Sequence, residues 1–297
     1  MLKNRRGLTL IEVMIAMVLL GLVLTGLTTV IMQQQRFYGG TAEVLETRAN
    51  VRQVADILPS ELRAVSPADS DIYAMSATSI DYRASTGSSV VCTMNGPRTQ
   101  LTIPPTTTAS LNGTSAWLSP PLNGDSLLVY DQGPTQASAD DSWTVHVLTA
   151  DPAAGICLPF TANAAEAALG YTLNVTPALS LNVQVGASIR FFRRARFELF
   201  NGADGQGYLG YSDCIPSRLP ACSAVQPVSG PYLPLGGAPE GLSLSYFTTA
   251  NAVTADPTQV ARIDVVVRSR TRGEVRIAGY PSGRYTDSLT FSIAARN

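Results

Sequence analysis

No proline precedes Pro59, although the chain of 297 residues holds 19 of them. Nothing of that kind therefore breaks a helix in the first stretch. No charged residue lies between Val13 and Gln35. Lys3 is the only lysine and His146 the only histidine, and arginine carries all other positive charge. We read the missing lysines as a coding bias of the source, not as a site. The 21 basic and 22 acidic side chains give a net charge of -1, so no basic excess argues for general nucleic-acid binding. With one histidine and no Cys-x-x-Cys spacing, a cysteine metal site is not expected. No glycine-rich loop between strand and helix supports a nucleotide, and no Gly-x-Ser-x-Gly elbow supports a hydrolase.

What is present is concentrated at the start. Lys3, Arg5 and Arg6 precede Gly7-Leu8-Thr9-Leu10-Ile11-Glu12, and an almost wholly apolar run then extends from Val13 to Met32. About 20 such residues span the hydrocarbon core of a bilayer. Basic residues just before the run hold the N-terminus in the cytoplasm and send the rest across. An ordinary signal peptide fits poorly. The run continues through Thr28, Thr29, Val30 and Ile31 into glutamines, with no small-residue cleavage pair there. Glu12 is the oddity, because a carboxylate within such a block costs several kcal/mol unless it finds a partner.

The leader, Gly7 and the block Leu8 to Glu12 together resemble the prepilin signature of type IV pilins and type II secretion pseudopilins. The resemblance implies cleavage between Gly7 and Leu8 by a membrane-embedded prepilin peptidase, followed by N-methylation of Leu8. Phe is commoner at the position of Leu8. The resemblance also implies a use for Glu12, which would neutralise the N-terminal amine of a neighbouring subunit in a filament core. Two buried charges that meet offset each other's desolvation. Removal of the leader would take three of the 21 basic side chains and leave 18 against 22 acidic ones.

From Leu8 to about Arg63 the sequence predicts one helix of about 85 Å, at about 1.5 Å per residue. Gly39-Gly40 marks a place to bend, and Pro59 a kink or a last turn. Val44, Val51, Ala55, Leu58 and Leu62 form a stripe, interrupted by Arg48, that should pack on the protein's own sheet. From Ser66 the composition turns to Ser, Thr, Gly and Pro. Ser79 to Ala84, Val90 to Met94, Ser126 to Asp131 and Trp143 to Leu148 read as strands, and Ala162 to Leu169 as a short helix. Alternation is clearest at Ala195-Phe197-Leu199, Leu242-Leu244-Tyr246, Ile263-Val265-Val267 and Leu289-Phe291-Ile293. A glycine-rich turn at Asn201 to Gly207 returns the first of these to Tyr208 to Tyr211 as a hairpin.

The expected fold class is α+β: a long N-terminal helix, transmembrane at about 10–32, packed on an antiparallel β-sheet head, the lollipop of the pilin family. The expected parts are a leader at 1–7, the helix at 8–65 and a periplasmic or extracellular head at 66–297. A head that large suits minor pilins, and its late strands resemble the PilW-type group.

Cys92, Cys157, Cys214 and Cys222 lie beyond the membrane run, where disulfides persist. Four cysteines allow three pairings. The short loop from Cys214 to Cys222 favours that pair, with Cys92 to Cys157 as the second. His146 alternates with Val145 and Val147 and is expected to be a solvated strand residue. Asp140-Asp141 reads as a loop pair rather than a catalytic dyad. Asn201, Asp204 and Asp213 surround a glycine-rich turn of the kind that can offer oxygen ligands to calcium, but the spacing is not that of an EF-hand and a plain hairpin turn is expected. Arg190, Arg193, Arg194 and Arg196 are expected to form an exposed strand face balanced by Glu198 and others, with DNA or an acidic partner left open.

The leading expectation is a structural protein, not an enzyme, without a cofactor or metal: a minor type IV pilin. Its partners would be the prepilin peptidase, other major and minor pilins, the inner-membrane assembly platform and, before assembly, membrane lipid. It would sit in the inner membrane as a single-pass protein with its head in the periplasm, and later at the cell surface in a pilus. The rivals are a type II secretion minor pseudopilin of the PulJ or GspJ kind, and a pilus-tip adhesin or DNA-uptake module.

Overall fold

The computed structural model describes residues 10–106, 114–135, 137–214, 222–275 and 283–296. One helix, α1 (Leu10–Leu62), has 53 residues, about 80 Å at about 1.5 Å per residue. It runs unbroken through Gly39-Gly40 and past Pro59 to Leu62. Every residue from Leu10 to Gly39 is exposed. Three threonines in this stretch satisfy their hydroxyls within the helix: Thr25 donates to the Gly21 carbonyl (2.7 Å), Thr28 to Leu24 (2.6 Å) and Thr29 to Thr25 (2.9 Å). An apolar surrounding therefore meets no unmet threonine hydroxyl there. The helix reaches the head at Gly40, where an added Cβ would touch Val275 at 3.6 Å.

Beyond Gly40 the helix is amphipathic. Its buried seam is Val44, Thr47, Val51, Val54, Leu58, Pro59 and Leu62. The stripe expected from sequence needs two changes. Val54, not Ala55, is the core residue, and Thr47 joins the seam because its hydroxyl donates to the Glu43 carbonyl one turn back (2.8 Å). Arg48 lies beside the seam and reaches out to the Tyr285 hydroxyl and Asp287.

Among the described residues fifteen strands follow: β1 (Ile72–Met75), β2 (Ser79–Val90), β3 (Thr93–Met94), β4 (Gln100–Ile103), β5 (Ala116–Trp117), β6 (Ser126–Asp131), β7 (Ser142–Leu148), β8 (Ala153–Gly155), β9 (Gly170–Thr176), β10 (Ser188–Asn201), β11 (Gly207–Asp213), β12 (Gln226–Tyr232), β13 (Leu242–Phe247), β14 (Arg262–Arg270) and β15 (Thr286–Ala294), with a one-turn helix α2 (Ala164–Ala167) before β9. All named pairings are antiparallel. The large sheet has the order β1-β2-β10-β6-β7-β9-β4-β3, with β11 and β12 continuing from the second half of β10; the small sheet is β13-β14-β15. This is an α+β, pilin-like architecture: a long apolar helix followed by an antiparallel head.

The ribbon β2–β10 is the spine of the head. Its pairing runs from Ser188↔Val90 to Glu198↔Ser79. The sequence predicts strands at 79–84 and 90–94 instead. The Ser- and Gly-rich middle, Ser85 to Ser89, hides the continuous strand because its buried positions include the polar Thr86 and Ser89. Gly87 permits β5 to pair there, since a Cβ would lie 2.5 Å from the Ala116 carbonyl oxygen.

Two hydrophobic cores line this ribbon. The near core joins the α1 seam to Ile80 and Tyr82 of β2, Ala195, Phe197 and Leu199 of β10, and inward residues of β13, β14 and β15. The far core contains no α1 residue and is built by Leu101, Ile103, Leu127, Val129, Leu148, Leu173, Ile189 and Phe191, among others. Strands β3 to β9 all fall between β2 and β10 in sequence. The far lobe is thus an insertion between two paired strands, which accounts for the size of the head.

Candidate functional site

The N-terminal part of α1 sets one carboxylate among exposed apolar side chains. Glu12 lies in the first described turn of α1. The side chains that follow are apolar and exposed: Ile15 at 55%, Leu19 at 57%, Leu22 at 67% and Val23 at 66%. Among the described residues α1 is the helix long and apolar enough to cross a membrane by length and composition. Gly7 and Leu8 lie outside the described residues.

The expected basic face of β10 is divided by the strand alternation. Arg193 points inward between the two cores, with its side chain 3% exposed and that of its partner Asp125 0%. Its Nε donates to Asp125 Oδ1 (2.9 Å) and its Nη2 to Oδ2 (2.6 Å). Ser119 Oγ and the Pro120 carbonyl accept from the remaining N–H groups at 3.0 and 2.8 Å. Asp125 Oδ2 also accepts from the Leu122 amide (2.8 Å). A buried pair satisfied on both sides is the arrangement that offsets its own desolvation. Arg194 and Arg196 point outward, yet both grip the buried Asp81 at 2.5 Å. Burial pushes the Asp81 carboxyl up, but the bonds from Arg196 and Arg194 outweigh it and hold it below the ordinary carboxylate range. The expectation of an exposed face balanced by Glu198 and others is corrected on two points: Arg193 is buried, and the carboxylates that balance Arg193, Arg194 and Arg196 are Asp125 and Asp81.

His146 is also corrected. It is 2% exposed, whereas Val145 and Val147 on the other side are 48% and 37% exposed. Its Nδ1 must donate to the Pro177 carbonyl (2.8 Å), since a carbonyl only accepts, and its Nε2 meets the Thr144 hydroxyl at 2.9 Å. The alternation was legible but its polarity was not, because apolar residues occupy the outer side of β7. That outer side lines a groove of about 860 Å³. Trp117, Trp143, Arg190 and Arg296 line it as well. Sequence reasoning missed this site, and the outward Trp143 and Val145 were the available signal.

The remaining candidates are structural. Asp140 accepts from the Thr135 amide and hydroxyl (2.9 and 2.7 Å), and Asp141 accepts from the Tyr130 hydroxyl (2.5 Å). Asp204 caps the hairpin by accepting from the Gln206 amide (3.1 Å) and the Tyr208 hydroxyl (2.8 Å). Asn201 exchanges two bonds with the Leu235 backbone, and Asp213 accepts from the Tyr211 hydroxyl (2.9 Å). Among the described residues no group of three or more His, Cys, Asp or Glu is placed to hold a metal. Disulfides join Cys92 to Cys157 across the far lobe and Cys214 to Cys222 beyond β11.

Comparison with known proteins bears on the N-terminus. The family model described as the prokaryotic N-terminal methylation motif matches residues 2–28. This match is consistent with the type IV pilin and pseudopilin family, and with a membrane-anchored protein of that kind. No curated protein and no solved structure matches the chain.

Proposed function

We propose that the protein is a minor type IV pilin, structural rather than catalytic. The prepilin peptidase cuts between Gly7 and Leu8, Leu8 is methylated, and residues 8–65 then serve as the assembly stalk of the 66–297 head. The observation that carries this reading is the methylation motif at residues 2–28 running into a helix that is exposed at every residue from Leu10 to Gly39. Such a helix needs lipid before assembly and neighbouring helices after it. The platform in the inner membrane and the other major and minor pilins supply those neighbours. Two disulfides support a head that matures in the periplasm and ends at the cell surface in the filament.

Glu12 sets the register. Its carboxylate meets the new amine of an adjacent subunit, and each charge relieves the other's burial. Glu12→Ala should leave insertion and processing intact and lower incorporation into the filament. Mass spectrometry of the mature chain checks the first step: the N-terminal residue is a methylated Leu8. A mature chain beginning at Met1, or beyond Met32, overturns the proposal.

A further inference from the structure

The floor of the groove over β2, β10, β6 and β7 lies on the face turned away from both cores, and Trp117, packed against the edge of the far core, forms part of its wall. Its floor is a row across four strands, Ser88, Arg190, Leu128 and Val145, aligned by the pairings Arg190↔Ser88, Arg190↔Leu128 and Leu128↔Val145. The chain has two tryptophans, and both line this groove. Trp143 is 39% exposed, and the Arg190 guanidinium lies over its ring, 4.7 Å from the centroid. Trp117 is braced from behind by Tyr171 and Phe191 at 4.9 and 6.0 Å between ring centroids. Leu118 stands 91% exposed at the rim. A soluble surface ordinarily keeps large apolar groups apart, and their convergence around polar groups marks a binding site.

Charge narrows the ligand. Arg83 is paired with Asp71 at 2.6 Å. Among the described residues Arg190 and Arg296 have no carboxylate partner. Asp69 lies at the same end as Asp71. The groove therefore has two spare cations and an acid, too few for the train of phosphates on a single nucleic-acid strand. An added peptide strand is also disfavoured, because the floor is a sheet face whose backbone groups are already used in pairing. What remains is a ligand with apolar ring faces for two indoles, hydroxyls for Ser85, Ser88 and Asp69, and a sparse carboxylate for the guanidinium fork. We propose that this groove binds an acidic oligosaccharide, a segment of a polymer that carries a carboxylate on some of its sugars. The volume of about 860 Å³ falls within the range of about 300–1,000 Å³ that small-ligand sites occupy. The site does not depend on filament assembly.

Because Trp117 and Trp143 are the only tryptophans and both line the groove, selectively excited tryptophan fluorescence of the full chain in detergent micelles reports on this site. The probes are a hexasaccharide of alternating hexuronic acid and N-acetylhexosamine, its carboxyl-reduced form, an acidic peptide and a short oligothymidylate. The uronate hexasaccharide should give a saturable change, and the reduced form should bind about tenfold more weakly, as loss of one charge-assisted contact implies. Arg190→Gln should weaken binding by a similar factor. Val145→Asp, at a site already exposed, should abolish it with the circular dichroism unchanged. Equal binding of the reduced sugar, tighter binding of the peptide or oligonucleotide, wild-type affinity in Val145→Asp, or no binding of the hexasaccharide overturns the proposal.

Discussion

Arg193 and Asp125 are the residues on which the two cores lean. Removal of one partner leaves the other charged and buried, which costs about 3–5 kcal/mol. Asp125→Ala and Arg193→Met should each lower unfolding stability by that order in urea titrations, and the double variant should lose less than the sum. Asp81 gives a prediction in pH. Its carboxyl is held low in the folded state by Arg196 and Arg194 against burial. Such a group contributes stability above its unfolded value of about 4, and loses it as pH falls through the lower folded value. Asp81→Asn should therefore cost about 1.5–3 kcal/mol at pH 7, the range for hydrogen bonds to charged groups. It should also flatten the acid limb of a stability–pH curve, with the variant and the parent converging in acid. At this scale the sequence was half legible. It placed four arginines on one strand, but the carboxylates that neutralise three of them come from β2 and from the loop before β6, far along the chain.

Among the elements, α1 and five strands that feed the near core could be read from pattern alone, whereas β1 and β12 were not foreseen and β2 was read as two strands. Periodicity locates the seam on α1, and strict alternation locates β10, β11, β13, β14 and β15. In the far lobe β6 and β7 were legible as well, but the shortest strands resisted for a physical reason. Its strands β3, β5 and β8 have two or three residues, too few to show a period. Leu58 is fully buried in the near core, so Leu58→Ala should lower stability by about 2–5 kcal/mol in thermal or urea unfolding. The disulfides differ in what they constrain. Cys92 and Cys157 are 65 residues apart and Cys214 and Cys222 are 8 apart. Loop entropy assigns about 4 kcal/mol to the first and about 2.5 to the second. Replacing the first pair with serine should depress the melting temperature more than replacing the second.

At the scale of the whole molecule, the chain separates a stalk from a head, and the N-terminal motif and apolar run foretold that division before any coordinate was known. The insertion between β2 and β10 was not foretold, since nothing local distinguishes a loop that returns to its partner strand from one that goes elsewhere. The insertion has a mechanical consequence. The chain's last strand packs in the near core, and the Arg296 amide donates to the Val65 carbonyl just past the end of α1 (3.0 Å). Tension entering along the stalk therefore has its shortest route through the near core. The inserted lobe hangs beside that route as a side branch. Traction that strains the attachment of the stalk would leave the far core at rest, while the groove, lined in part by Ala64, Ser66 and Arg296, would feel it at one end.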